Sequence, residues 1–227
     1  MTYIDKIVKK PWGYEYLIYE NTDVGLWFLH IEKDQCTSMH CHPKKTTGLV
    51  LLDGQAEISF LADKRRLEGI SKVMIRRGLF HSTKALSDNG AFVLEIETPV
   101  DKHDLVRLND KYGRQSTPYE GVSHEEKKNV DCLWLEEPSS GDFKTYNFAN
   151  CKLKLEKIND VSIINNKKDD DLIMFLSGGL IRTIDDKSHC VTIPGDVGYG
   201  KIVKYISKQL DGVSKDTLIL TITKDEI

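Results

Sequence analysis

The chain has 227 residues, 40% of them hydrophobic and 30% charged, with a formal charge of −3. That is enough to bury a core in one domain or in two small ones. The charges are of mixed sign, leaving no basic footprint for nucleic acid and no polybasic membrane patch, so neither partner is expected.

The opening stretch MTYIDKIVKKPWGYE carries charges where a signal peptide needs an apolar run, and nowhere do eighteen apolar residues follow one another, so a cytoplasmic location is expected. The five cysteines (Cys36, Cys41, Cys132, Cys151, Cys190) are scattered, with no C-x-x-C pair, which predicts neither a disulfide framework nor a structural zinc site.

In chain order, the aromatic and β-branched run Pro11 to Tyr19 predicts a strand, with a turn at residues 20–23 and a second strand from Leu26 to Ile31. A polar turn, Glu32-Lys33-Asp34-Gln35, leads into Ser38-Met39-His40-Cys41-His42-Pro43. If this stretch is extended, His40 and His42 project to one side about 7 Å apart, while Cys41 points away into packing. His81, after the Gly78 turn, is placed to close a three-nitrogen face around one metal ion. The other reading is two surface histidines and one unrelated histidine.

Further strands are predicted over Thr47 to Leu52, Gln55 to Leu61, Lys72 to Ile75 and Ala91 to Thr98. A charged segment runs from Asp101 to Arg114, and a mixed one from Gln115 to Lys144 contains a capping-box pattern, Ser123-His124-Glu125-Glu126, that predicts a helix start. Strands resume over Cys151 to Ile158, Leu172 to Leu176, Leu180 to Thr183, Cys190 to Ile193, Lys201 to Ile206 and Thr217 to Thr223. Short strands at this spacing, with no long amphipathic helix, predict an all-β sandwich or barrel.

The halves share a layout. LVLLDGQAEIS around Gly54 matches IMFLSGGLIRT around Gly178, and Gly69 and Gly195 follow fifteen and seventeen residues later. This internal repeat predicts two small barrels, residues 1–118 and 145–227, joined by a linker over 119–144. The second holds a single histidine, His189, and the slot matching His81 falls near Ser207, so metal chemistry is assigned to the first alone.

His40-Cys41-His42, the hydrophobic strand ending at Gly54, and Gly69 followed by Gly78 and His81 resemble the two signature motifs of the cupins. The resemblance implies a small jelly-roll β-barrel with a metal inside, and the repeat makes the chain resemble a bicupin, two tandem cupin domains with the second degenerate. Around these motifs, Lys10-Pro11-Trp12-Gly13-Tyr14, Leu94-Glu95-Ile96-Glu97, His103-Asp104-Leu105-Val106-Arg107, Asp110 and Tyr112-Gly113-Arg114 resemble the cupin domain of type II mannose-6-phosphate isomerases. The chain departs from the family pattern at Thr47, where a glutamate ligand is usual, and at Arg76 and Ala85, where proline and asparagine are usual.

The implied cofactor is one divalent ion (Mn, Fe, Zn or Ni) on His40, His42 and His81. The implied activity is isomerisation or epimerisation of a phosphorylated or nucleotide-linked sugar, of the kind used to build surface polysaccharide. Glu95 and Glu97 alternate with Leu94 and Ile96, so both face one way and are the candidates for the general base, unless that face is solvated. Arg76 and Arg77, with Lys45, suit a phosphate at the barrel mouth, or lie on the surface. A three-histidine Fe(II) dioxygenase and a non-catalytic sugar-binding cupin are the competing classes. A homodimer is expected because exposed sheet edges are commonly covered by a second copy.

Overall fold

A computed structural model of the chain describes residue 3, residues 6–115, the backbone of 124–126, and residues 132–225. It forms two compact units, residues 1–134 and 135–227. No helix among the described residues is long and apolar enough to cross a membrane.

The first unit contains β1 (Lys6–Lys10), β2 (Gly13–Glu20), β3 (Gly25–Ile31), β4 (Met39–Cys41), β5 (Thr46–Phe60), β6 (Lys64–Glu68), β7 (Ser71–Ile75), β8 (His81–Ala85), β9 (Ala91–Thr98), β10 (Val106–Asn109) and β11 (His124–Glu126). All pairings are antiparallel. One sheet has the order β11-β1-β2-β3-β9-β5-β7 and the other β6-β5-β8-β4-β10. The long strand β5 belongs to both. It changes sheets at a bulge between Leu51 and Asp53, followed by Gly54 at φ +84°. A Cβ at Gly54 would stand 2.3 Å from the Gly90 carbonyl oxygen, so only glycine fits this crossing.

Alternate residues of each strand fill the space between the sheets: Leu17, Trp27, Leu29, Leu49, Leu51, Ile58, Val73 and Val93 belong to one cluster. This is a barrel of the kind the short alternating strands predict, in the jelly-roll form that the cupin resemblance implies. The opposite face of the first sheet is buried too, with Leu26, Val50, Leu94 and Ile96 at 0–1% exposure. Glu95 and Glu97 therefore do not lie on a solvated face. The helix start expected at Ser123 is not formed: residues 124–126 pair as a strand with β1, from Val8↔His124 to Lys6↔Glu126, and Ser123 itself lies outside the described residues. Pairing with an open sheet edge overrides the local capping pattern there.

The second unit contains β12 (Phe143–Phe148), β13 (Cys151–Ile158), α1 (Ser162–Asn165), β14 (Leu172–Ser177), β15 (Leu180–Ile184), β16 (Lys187–Cys190), β17 (Val197–Tyr199), α2 (Gly200–Ser207), β18 (Gly212–Val213) and β19 (Thr217–Lys224). Its larger sheet, β12-β13-β19-β14-β17, repeats the order β2-β3-β9-β5-β7, and its smaller sheet, β16-β15-β18, repeats β6-β5-β8. The bulge recurs as well, between Phe175 and Ser177 opposite β19. Here Gly178-Gly179 break the crossing strand in two, and counterparts of β4 and β10 do not occur among the described residues.

The strand expected over Lys201 to Ile206 is instead the helix α2. Gly200, Val203 and Ser207 are buried along it, with Ile206 and Leu210 packed beside Val203 in the core, a spacing of three and four that only a helix presents to one side. Ser207, in the slot matching His81, is the last residue of that helix and is buried.

Candidate functional site

The site begins with β4, which meets β8 through a single pair, His40↔His81. Met39 and Cys41 alternate away from His40, and Cys41 is buried, as its place between the histidines predicts. His42 follows at once, so three imidazoles stand together with ring centroids 4.4–5.6 Å apart. Their ligand atoms all lie within 4.8 Å of one another.

Each ring is oriented through Nδ1. His40 Nδ1 lies 2.8 Å from the Ser38 carbonyl oxygen, His42 Nδ1 2.6 Å from that of Asp104 and His81 Nδ1 3.1 Å from that of Leu79. A carbonyl only accepts, so each Nδ1 carries the proton and each Nε2 presents a lone pair. His42 Nε2 is fully buried and has no hydrogen-bond partner. Burial foremost drives the basicity of all three down, His42 to about 3, His81 to about 4 and His40 well below its ordinary value. The three are therefore neutral at pH 7. Neutral imidazoles, each held by a carbonyl behind it, with one buried lone pair unsatisfied, fit a divalent metal.

Thr47 is buried beside them on β5, directly opposite Glu97 of β9, and its Oγ1 has no partner. The donor set contains no carboxylate. The two glutamates have been driven apart by their surroundings. Glu97, with no exposed surface, pairs with Lys45 Nζ at 3.0 Å and Lys102 Nζ at 2.7 Å. Burial alone would raise its pKa, but the Lys102 and Lys45 ammoniums reverse this and hold it at about 2. Glu95 is pushed up to about 7, by burial first and by the charge of Glu97, against the pull of Lys102. Separating two carboxylates in this way is how one site obtains a fixed charge and a titrating acid–base group.

Lys102 also lies 3.7 Å from the centre of the Trp27 ring and 3.8 Å from Glu15, which stands 3.6 Å from Lys10. The result is an alternating chain, Lys10, Glu15, Lys102, Glu97, Lys45, along the cavity wall. Trp12, Thr37, Ser38, Arg107 and Arg114 complete the lining. The cavity has a volume of about 60 Å³, room for a few waters.

The structure thus brings His40, His42, Glu95, Glu97 and Lys45 to one cavity, with His81 clustered beside the two histidines. Lys45 is buried and committed to Glu97 and to the Asp101 carbonyl oxygen at 3.2 Å. Arg76 and Arg77 are exposed on the turn before β8 and do not line the cavity. Nearness to His81 along the chain does not carry them inward, because the turn that delivers the histidine projects its own side chains to solvent. Cationic groups reach the site instead from Lys10, Lys102, Arg107 and Arg114. The sequence reading missed Glu15, although alternation with Leu17 places it on the inward face, and Lys102, which carried no signal beyond its place in a charged segment. That segment straps the barrel. Asp104 Oδ2 accepts the Lys44 and Lys45 amides at 2.8 and 3.0 Å while its carbonyl orients His42, and Asp110 holds Arg114 at 2.6 Å.

No family model matches the chain and no curated protein does. Solved structures do. KdgF from Halomonas sp. is 16% identical with a TM-score of 0.40, over 42% of this chain and 88% of that one. CapF from Staphylococcus aureus, a capsular polysaccharide assembling protein, is 16% identical with a TM-score of 0.42, over 46% of this chain and 34% of its own, so the chain spans about a third of CapF. A protein from Klebsiella pneumoniae with a double-stranded β-helix domain is 15% identical with a TM-score of 0.39, over 43% and 84%. At such identities the likeness is one of fold.

Proposed function

We propose that the chain is a two-barrel cupin whose first barrel holds one divalent metal on His40, His42 and His81 and moves a proton between adjacent carbons of a phosphorylated or nucleotide-linked sugar, as an isomerase or epimerase. The observation that carries this reading is Glu95, a buried carboxyl that lines one cavity with His40 and His42, whose ligand atoms lie within 4.8 Å of each other and of one from His81. A divalent ion held there supplies Lewis-acid polarisation of the substrate's carbonyl and hydroxyl oxygens. Glu95 accepts and returns the proton at its carboxylate oxygen. Glu97, pinned by two lysines, keeps Lys102 and Lys45 in place and stays charged. The wall of Lys10, Lys102, Arg107 and Arg114 favours an anionic substrate.

The donor set supports one other reading. Three imidazoles without a carboxylate also suit Fe(II) that keeps positions open for substrate and oxygen, as in a dioxygenase. Incubation of the metal-loaded protein with hexose phosphates and nucleotide sugars in D₂O separates the two. Proton transfer predicts solvent deuterium on the carbon next to the carbonyl, seen by NMR, with no oxygen uptake. Oxygen consumption without deuterium incorporation would replace this reading by the dioxygenase.

A further inference from the structure

Of the three candidate ligands, His42 alone lies outside a strand. His40 and His81 stand on β4 and β8 and face each other as a ladder pair, whereas β4 ends at Cys41 and β5 begins at Thr46, which leaves His42 at the start of the connecting loop. No ladder hydrogen bond fixes it. Two other bonds do. Its carbonyl oxygen accepts the Gly78 amide at 2.8 Å, tying the loop to the turn that delivers His81, and its Nδ1 donates to the Asp104 carbonyl oxygen at 2.6 Å. The orientation of the ring therefore depends on where the main chain of Asp104 sits.

Asp104 is not in a strand either. It precedes β10 and closes a turn in which its amide donates to the Asp101 carbonyl oxygen at 3.2 Å. Two attachments hold that turn against the loop of His42. The first is the Asp104 carboxylate, whose Oδ2 accepts the Lys44 and Lys45 amides at 2.8 and 3.0 Å. The second is the Lys45 ammonium, which donates to the Asp101 carbonyl oxygen at 3.2 Å and pairs with Glu97 at 3.0 Å. Asp104 and Lys45 are both buried, so the Lys45 amide has no water to turn to if the carboxylate is removed. One residue thus closes a ring. Its side chain grips the loop just beyond His42 while its carbonyl aims the His42 imidazole.

We propose that Asp104 is the positioning residue of the metal centre: by gripping the Lys44 and Lys45 amides, its carboxylate holds its own carbonyl where it keeps His42 in the triad. The inference rests on the metal reading of the first barrel. The test is the Zn²⁺ affinity of the full chain, stripped with EDTA and titrated in competition with a chromophoric chelator, with the fold of each variant checked by circular dichroism. Asp104→Ala is expected to bind Zn²⁺ about 10- to 100-fold more weakly than the wild type, the usual cost of losing a group that orients a metal-bound histidine. Asp104→Asn, whose amide oxygen still accepts both N–H groups, is expected to stay within about threefold of the wild type. A role in stability alone would leave the affinity of the folded protein unchanged. Asp104→Glu gives a second comparison that holds even where Asp104→Ala does not fold. It keeps the charge but moves the oxygens by one methylene, so positioning predicts the tighter site in Asp104→Asn, and charge alone the tighter site in Asp104→Glu. Wild-type affinity in Asp104→Ala, or a tighter site in Asp104→Glu than in Asp104→Asn, overturns the proposal and leaves the metal reading untouched. Absence of Zn²⁺ binding from the wild type as well would overturn the metal reading itself, and the proposal with it.

Discussion

Glu95→Gln is expected to lower turnover about 10²- to 10⁴-fold, the usual contribution of a positioned acid–base group, while metal content stays at the wild-type level. The amide keeps the shape of the carboxyl but cannot take the proton. Because the active form of Glu95 is the carboxylate and its pKa is pushed up to about 7, the wild-type kcat/KM should rise with pH through about 7 and then level off. In Glu95→Gln the residual activity should lack that limb. A limb at the ordinary glutamate value near 4.5 would show that burial does not tune this residue, and an unaltered rate in the variant would remove it from the mechanism.

Lys102→Met is the second large effect, this time on stability. It strips Glu97 of its 2.7 Å partner while Lys45 stays at 3.0 Å, so the loss should fall at the lower end of the about 3–5 kcal/mol that breaking one side of a buried ion pair costs. The pH dependence follows from Glu97, whose folded pKa is depressed. Its contribution is complete above the unfolded value near 4.5 and is lost as pH falls toward about 2. The gap between wild type and variant, measured by urea unfolding, should therefore be widest near neutrality and shrink below pH 4.5. Lys102→Met/Glu97→Leu should not recover the loss, since removing Glu97 leaves the buried Lys45 ammonium without its carboxylate.

These two residues also mark what was legible in the sequence. Glu95 and Glu97 showed themselves by alternation with Leu94 and Ile96, a local pattern. Lys102 meets Glu15 only because β2, β3 and β9 align in register, and nothing near either residue in the chain announces that meeting. The histidine triad was readable because H-x-H is a local spacing and the Gly78 turn fixes where His81 enters. The strand orders of the two units agree. The segment Lys201 to Ile206 misled because its β-branched residues favour a strand while the spacing of Val203, Ile206 and Ser207 serves a helix, and tertiary packing decided between them. Arg76 and Arg77 are exposed, the surface position that the sequence left open for them.

The account rests on a metal held by His40, His42 and His81, and elemental analysis of the protein purified without added metal tests it most directly. About one equivalent of a transition metal per chain is predicted for the wild type, falling below about a tenth in His42→Ala and in His81→Ala with the fold retained, because a three-imidazole site loses its affinity with any one ligand. Less than about a tenth of an equivalent in the wild type, with no binding on titration with Mn²⁺, Fe²⁺, Zn²⁺ or Ni²⁺, would contradict it.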